Sequence, residues 1–304
     1  MLIASKTRRP VSAPFAGFLK WAFIVSLALA NSGCGVGFFY NNLDRLVRWE
    51  LDSVLAMTAD QEAFFETEFA DLWRWHRTHE LPRYADDLGR WADRFGGAAT
   101  PADIDELFVT LEGWWLRLEA KGTPFAAEFL RSLDGEQVSS LAQALEESNA
   151  DWEKQEKGKP VGAVRKAWRK DFESILKRFT GPLTQEQRAL IADAAERYQP
   201  ERQLWADYRR RWQRDLFILL ERRHEAEHFK VGFERLVKDQ KTYYSERFAE
   251  VEAANEALVK TAVAEVLSDA SPKQRERLRD TLNDRAEQLR ALAAKAKAVE
   301  SASE

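Results

Sequence analysis

Apolar residues recur at three- and four-residue spacing along most of the chain, which predicts helix after helix. A first stripe holds Leu43, Leu46, Val47, Leu51 and Leu55. A second runs through Phe64, Phe65, Phe69, Leu72 and Trp73 and is expected to end by His79, with Pro82 opening a separate helix that stops near Gly96-Gly97. Thr100-Pro101-Ala102-Asp103 starts the stripe Ile104, Leu107, Phe108, Leu111, Trp115 and Leu118, which Gly122-Thr123-Pro124 is expected to break. Glu153 to Pro160 is polar and reads as a linker. Beyond it come Val164, Trp168, Phe172, Ile175, Leu176 and Phe179, ending at Thr180-Gly181-Pro182. The longest periodic stretch starts at Trp205, Tyr208 and Trp212 and runs to Leu267, with a break expected near Gly232. Leu278, Leu282, Leu289 and Leu292 mark a terminal helix. No segment alternates as a strand does. The fold class is therefore all-α, an elongated or cradle-like multi-helix bundle.

One short pattern opens four of these helices. Met57-Thr58-Ala59-Asp60-Gln61, Leu133-Asp134-Gly135-Glu136-Gln137, Leu183-Thr184-Gln185-Glu186-Gln187 and Ala270-Ser271-Pro272-Lys273-Gln274 each place a capping side chain three residues before a glutamine. That spacing makes a capping box, in which the two residues satisfy each other's backbone N–H. Thr58, Asp134, Thr184 and Ser271 are the caps; Gln61, Gln137, Gln187 and Gln274 reach back. Tyr84-Ala85-Asp86 with Arg90-Trp91 matches Trp205-Ala206-Asp207 with Arg211-Trp212 at the same internal spacing. The chain thus reads as two related helical units, 34–182 and 183–304, after a leader of residues 1–33.

The leader changes the compartment. Lys6, Arg8, Arg9 and Lys20 precede an apolar run from Trp21 to Ala30, then Asn31-Ser32-Gly33-Cys34. A basic start, a short apolar core and small residues before a cleavage point make an export signal, and the run is too short to span a bilayer. Its end resembles a lipobox, with Asn31 where that pattern has Leu, so Cys34 is the expected lipidation site. Acyl chains contribute about 0.8 kcal/mol per buried CH₂, which makes a multiply acylated Cys34 a lasting anchor. Gly35 after the cysteine points to the outer membrane, with the body facing the periplasm. Loss of residues 1–33 removes four of 46 basic residues and none of 50 acidic ones, taking the net charge from −4 to −8. That balance points away from a nucleic-acid partner and from a polybasic membrane-surface protein. A single cysteine excludes an internal disulfide.

The sharpest chemical signal is His224-Glu225-Ala226-Glu227-His228, an H-E-x-x-H pattern whose two histidines would bind zinc from one helical face with the glutamate as general base. A zinc-dependent metallopeptidase using His224, Glu225 and His228 is the alternative reading. Arg222 and Arg223 oppose metal binding there, and Glu227 places a charge inside the motif. Glu221-x-x-His224 and Glu225-x-x-His228 resemble di-iron ligand pairs, which need a second helix to match them; His76 and His79 lack a glutamate three residues upstream. The balance favours no catalytic residue, no metal and no cofactor. Trp91, Trp115, Trp168 and Trp212 lie on apolar stripes and are expected in the core. Trp73 with Trp75, and Trp114 with Trp115, point to different faces, so some rings are expected along an amphipathic groove. Arg209-Arg210-Arg211 reads as a solvated face.

Two resemblances extend this reading. Leu183-Thr184-x-x-Gln187 resembles the LTxxQ motif of small helical periplasmic proteins that include the Spy-type chaperones. Cys34, then Tyr40-Asn41-Asn42-Leu43-Asp44, Leu46, Trp49, Trp75-His76-Arg77, Glu80-Leu81-Pro82-Arg83-Tyr84 and Ser271-Pro272-x-Gln274-Arg275 are similar to a family of Gram-negative lipoproteins with a domain of unknown function. The first implies chaperone-like binding of unfolded clients, and the second a helical periplasmic lipoprotein with no established activity. With the lipid tether, the capped helices and the aromatic excess, the reading is a non-enzymatic envelope protein that binds protein clients or an envelope partner.

Overall fold

The computed structural model describes residues 42–303, and the leader and Cys34 lie outside them. Among the described residues the chain is all-α. The helices are α1 (Leu43–Leu55), α2 (Ala59–Trp75), α3 (Leu81–Phe95), α4 (Pro101–Arg131), α5 (Gly135–Glu156) and α6 (Val161–Thr180), then α7 (Gln185–Arg197), α8 (Arg202–Glu221), α9 (Ala226–Lys238), α10 (Glu246–Ser268) and α11 (Pro272–Ser303). No helix among them is long and apolar enough to cross a membrane.

Capping boxes open α2, α5 and α7, and Ser271 and Gln274 exchange the same two bonds at α11. The residue before each cap, Met57, Leu133, Leu183 or Ala270, is buried and pins the entry of its helix. Each box has a second use. Gln61 and Gln137 lie side by side: Gln61 Nε2 donates to Gln137 Oε1 at 2.8 Å, and Gln137 Nε2 donates back at 2.7 Å. Gln187 and Gln274 do the same at 3.2 and 2.9 Å. The remaining amide hydrogens go to main-chain oxygens just ahead of the partner helix: Gln61 to Ser132, Gln137 to Leu55, Gln187 to Val266 and Gln274 to Pro182. A glutamine amide offers two hydrogens and two lone pairs, and all four positions are filled in each case. All four side chains are buried, so each amide would be expensive to leave unmatched.

Two sequence expectations fail at prolines. α2 and α3 were expected to be separate but join through a π-turn at His76–Glu80. Pro82 has no N–H, and its ring would collide with the Thr78 carbonyl. Widening the preceding turn removes that collision, and Leu81 N–H reaches back to the His76 carbonyl. α4 runs straight through Gly122-Thr123-Pro124. Thr123 Oγ1 donates to the Glu119 carbonyl at 2.7 Å. The turn after Pro124 is held from both sides, with Phe125 and Phe129 packed among Phe65 and Phe69, and Ala127 among Leu220, Phe229 and Phe233. Burial of those side chains outweighs a helix penalty of about 3 kcal/mol for proline. The third difference is at Gly232, which lies inside α9; the breaks fall instead at Arg222–Glu225 and Asp239–Ser245. A Cβ on Gly232 would sit 2.5 Å from Leu219 Cδ2, so glycine here permits close approach of α8 and α9.

Helix contacts recur in matched order. α1 packs on α2 and α5, and α6 packs on α7 and α11. α2 meets α4 as α7 meets α10. α3 crosses to α11, and α8 crosses to α5. α4 lies between, touching both α9 and α10. Helix α6, ahead of the 182/183 division, packs on α7 and α11 beyond it. The largest apolar cluster joins Tyr84, Leu88, Trp91 and Phe95 of α3 to Ile104 and Trp114 of α4 and to Leu278, Leu282, Ala286 and Leu289 of α11.

The glutamine pairs predict strong coupling. Gln187→Leu or Gln274→Leu alone leaves a buried amide unmatched and should destabilise by about 2 kcal/mol. The double variant should cost about 1–2 kcal/mol less than the sum of the two, read from urea unfolding midpoints in a double-mutant cycle.

Candidate functional site: aromatic spine, histidines and apolar strip

The π-turn sets up the most elaborate side-chain arrangement in the fold. It turns His76 and Glu80 inward, and both are buried. His76 stacks on Trp73 at 5.2 Å and meets Tyr84 edge-on at 5.6 Å. Rings continue in both directions: Phe65, Phe69, Trp73, His76, Tyr84, Trp114 and Trp91 form one contiguous series, tightest between Tyr84 and Trp114 at 4.2 Å. Trp114 donates from Nε1 to Asp87 Oδ2 at 2.6 Å, and Asp87 also pairs with Arg90. Glu80 takes Arg117 Nε at 2.8 Å and Arg83 Nη1 at 3.3 Å. The carboxylates of Glu80 and Asp87 are thus balanced by arginines that reach to the surface. Burial, with help from Arg77, pushes His76 down to about 4. His76 is a neutral aromatic group at neutral pH, held inside a packed spine.

The tryptophans divide differently from the sequence expectation. Trp114, not Trp115, joins Trp91 in the core, while Trp115, Trp168 and Trp212 are half-buried. Helix phase decides this: Trp114 faces α3, and Trp115 sits a step round and donates to Glu119 on the next turn at 3.0 Å. Trp168 stacks on Phe172 and Tyr198. Arg209 also departs from the solvated face assigned to the arginine run. It is only 6 % exposed, bonded to Asn149 and set 4.9 Å from the centre of the Trp205 ring. Arg211 is half-buried and donates to the Tyr243 carbonyl; Arg210 alone of the three is exposed.

The H-E-x-x-H segment does not form one helical turn. α8 ends at Glu221, Arg222–Glu225 turns, and α9 begins at Ala226, so His224 and His228 do not share a helix. Both are exposed. Glu225 is engaged by Arg222 through two bonds of 2.9 and 2.7 Å, which hold its carboxyl below the usual range. His76 and His79 lie far along the chain on the π-turn, His76 buried and His79 exposed. Among the described residues no three histidine, cysteine, aspartate or glutamate side chains gather as a metal site would require. An open depression of about 420 Å³ beside Trp91 is lined by Arg90, Asp93, Arg94 and Glu106. Arg94 and Glu106 pair with each other there, which leaves little uncommitted charge for a ligand.

Solvent-facing apolar residues are the remaining candidate surface. On α4, Val109 is 66 % and Leu116 52 % exposed. They are seven residues apart and so share a face, with Gly113 between them and Ala120 one turn beyond. The resulting strip is about 16 Å long. On α1, Leu46 and Trp49 form a smaller apolar face, Trp49 being 69 % exposed.

Residues 53–249 match a family of unknown function (DUF6279). No curated protein and no solved structure matches the chain.

The buried His76 predicts an acid-sensitive fold. Its proton affinity is lower folded than unfolded, so its contribution is complete above pH 6.5 and is lost as pH falls towards 4. The full effect is about 3 kcal/mol. His76→Phe should flatten this part of the profile, seen as a smaller drop in Tm from pH 7 to pH 4 than in the unsubstituted chain.

Proposed function

We propose that this chain, which belongs to the DUF6279 family, is a lipid-anchored helical protein of the cell envelope that holds protein clients or an envelope partner against its apolar surface. The observation that carries the reading is the α4 strip of Val109, Leu116 and Ala120, solvent-facing on the helix that touches α2, α3, α9 and α10. Large exposed aliphatic side chains aligned on one helix gain when another apolar surface covers them. The LTxxQ-like helix starts, the lipobox-like Ser32-Gly33-Cys34 and the basic, apolar leader support the same reading. In this reading acylated Cys34 fixes the body at the outer membrane, on the periplasmic side, and a short chain keeps α1 close to the bilayer.

Two measurements test it. In a Gram-negative host the chain should sediment with outer-membrane fractions, and Cys34→Ser should move it to the soluble fraction; an unchanged distribution sinks the anchor. The purified Cys34→Ser chain should slow aggregation of a denatured client at near-equimolar ratio. Val109→Asp with Leu116→Asp should weaken that protection at least about fivefold and shift stability by no more than about 0.5 kcal/mol, because both positions are exposed. Full protection by the double variant would remove the α4 strip from the mechanism.

A further inference from the structure

The matched helix contacts allow two interfaces of one kind to be compared. α11 lies along α3, and α5 lies along α8. The first is apolar: Leu88, Trp91, Ala92 and Phe95 face Leu278, Leu282, Ala286, Leu289 and Ala293, all buried. The second is polar beyond Leu145. Arg209 bonds to Asn149, and Asn149 Nδ2 donates to Gln213 Oε1 at 2.8 Å. Arg210 spans Glu146 and Glu153 at 2.9 and 2.8 Å, and Arg202 reaches Glu156 at 2.7 Å. Val138 and Leu141, early in α5, pack against the cluster that holds Leu216 and Leu220 of α8, and beyond Leu145 the apolar contribution is Trp152 on Trp205, 5.6 Å between centres.

From Glu146 to Ala163 only Ser148 and Asn149 are buried. The two ends of this span are fixed differently. Leu145 is buried at one end, and α5 before it is anchored through Gln137 and the Phe129–Leu133 cluster. At the other end Arg165 donates to the Tyr198 carbonyl, and Trp168 stacks on Phe172 and Tyr198. Between them lies the exposed turn Lys157–Pro160.

We propose that residues 146–163 form a strap that detaches from α8 as a unit while the rest of the fold stays intact. Local opening is cheapest where few apolar contacts are broken, and here the contacts are mostly hydrogen bonds and partly exposed ion pairs, which water and salt replace. Arg209 favours opening further. It is a buried cation with no carboxylate ion pair among the described residues, and detachment returns it to water. The detached state uncovers Trp205 and Arg209 and frees Arg202 and Arg210 from Glu146, Glu153 and Glu156, which leaves a basic and aromatic face. The device does not depend on the α4 strip or on the lipid anchor.

Hydrogen exchange on the whole chain, resolved by peptide mass, tests this. Amides of residues 147–156 should exchange at least about tenfold faster than those of residues 282–293 in α11, and 1 M NaCl should widen the gap. Equal protection of the two segments overturns the proposal. Asn149→Leu with Arg209→Met gives the interface the apolar character of its counterpart and should slow exchange of the strap at least about tenfold, with α3 and α11 as the internal control for folding. Strap exchange that stays fast in that variant, with α3 and α11 unchanged, overturns the assignment of the polar interface as its cause.

Discussion

The fold hangs on a hydrogen-bonding constraint at the two glutamine pairs. A side-chain amide buried among helix ends must place two hydrogens and two lone pairs. Gln61 with Gln137, and Gln187 with Gln274, do this by serving two tasks together: each caps its own helix and grips the other. The start of one helix therefore fixes the start of another. α2 is aligned to α5 and α7 to α11, and the hydrophobic residue before each cap is pressed into the core beside the pair. A glutamate could complete a capping box equally well but could not donate to a partner. Glutamine, and never glutamate, in all four copies is the sequence feature that matches this pairing.

With those ends fixed, the long helices have little freedom to break where their prolines would break them. α4 passes Pro124 because Phe125, Ala127 and Phe129 are committed to two clusters on opposite sides. α2 passes into α3 because a π-turn accommodates Pro82. That turn is also what brings His76 and Glu80 inward, and so what joins the phenylalanines of α2 to the tyrosine and tryptophans of α3 and α4 in one spine. A local steric problem thus becomes the origin of the most elaborate packing in the molecule.

The same topology is filled with unlike chemistry on its two sides. Where α3 meets α11 the interface is leucine, alanine and tryptophan; where α8 meets the later half of α5 it is arginine, asparagine and glutamate. Apolar burial of about 1.5–3 kcal/mol for a large side chain contrasts with at most about 1 kcal/mol for an exposed ion pair. One side is built to stay shut and the other to yield. The α4 strip adds a third kind of surface, apolar and open to solvent.

The sequence by itself determined whatever depends on a few neighbouring residues. Thr58, Asp134, Thr184 and Ser271 start helices because cap and glutamine satisfy each other within three residues. The all-helical class follows as directly, since apolar spacing is a property of each stretch alone. What needed the tertiary structure were partnerships between distant residues. Gln61 meets Gln137 across 76 residues and Gln187 meets Gln274 across 87. Whether Trp114 or Trp115 enters the core, and whether Arg209 is solvated, depends on which helix lies opposite. The same holds for His224 and His228, which satisfy a metal-site spacing in the sequence but in the fold lie one in a turn and the other on the helix after it. Spacing along a chain fixes geometry only while one helix persists, and whether it persists past a proline, a glycine or a charged turn is decided by what its side chains can bury on either side.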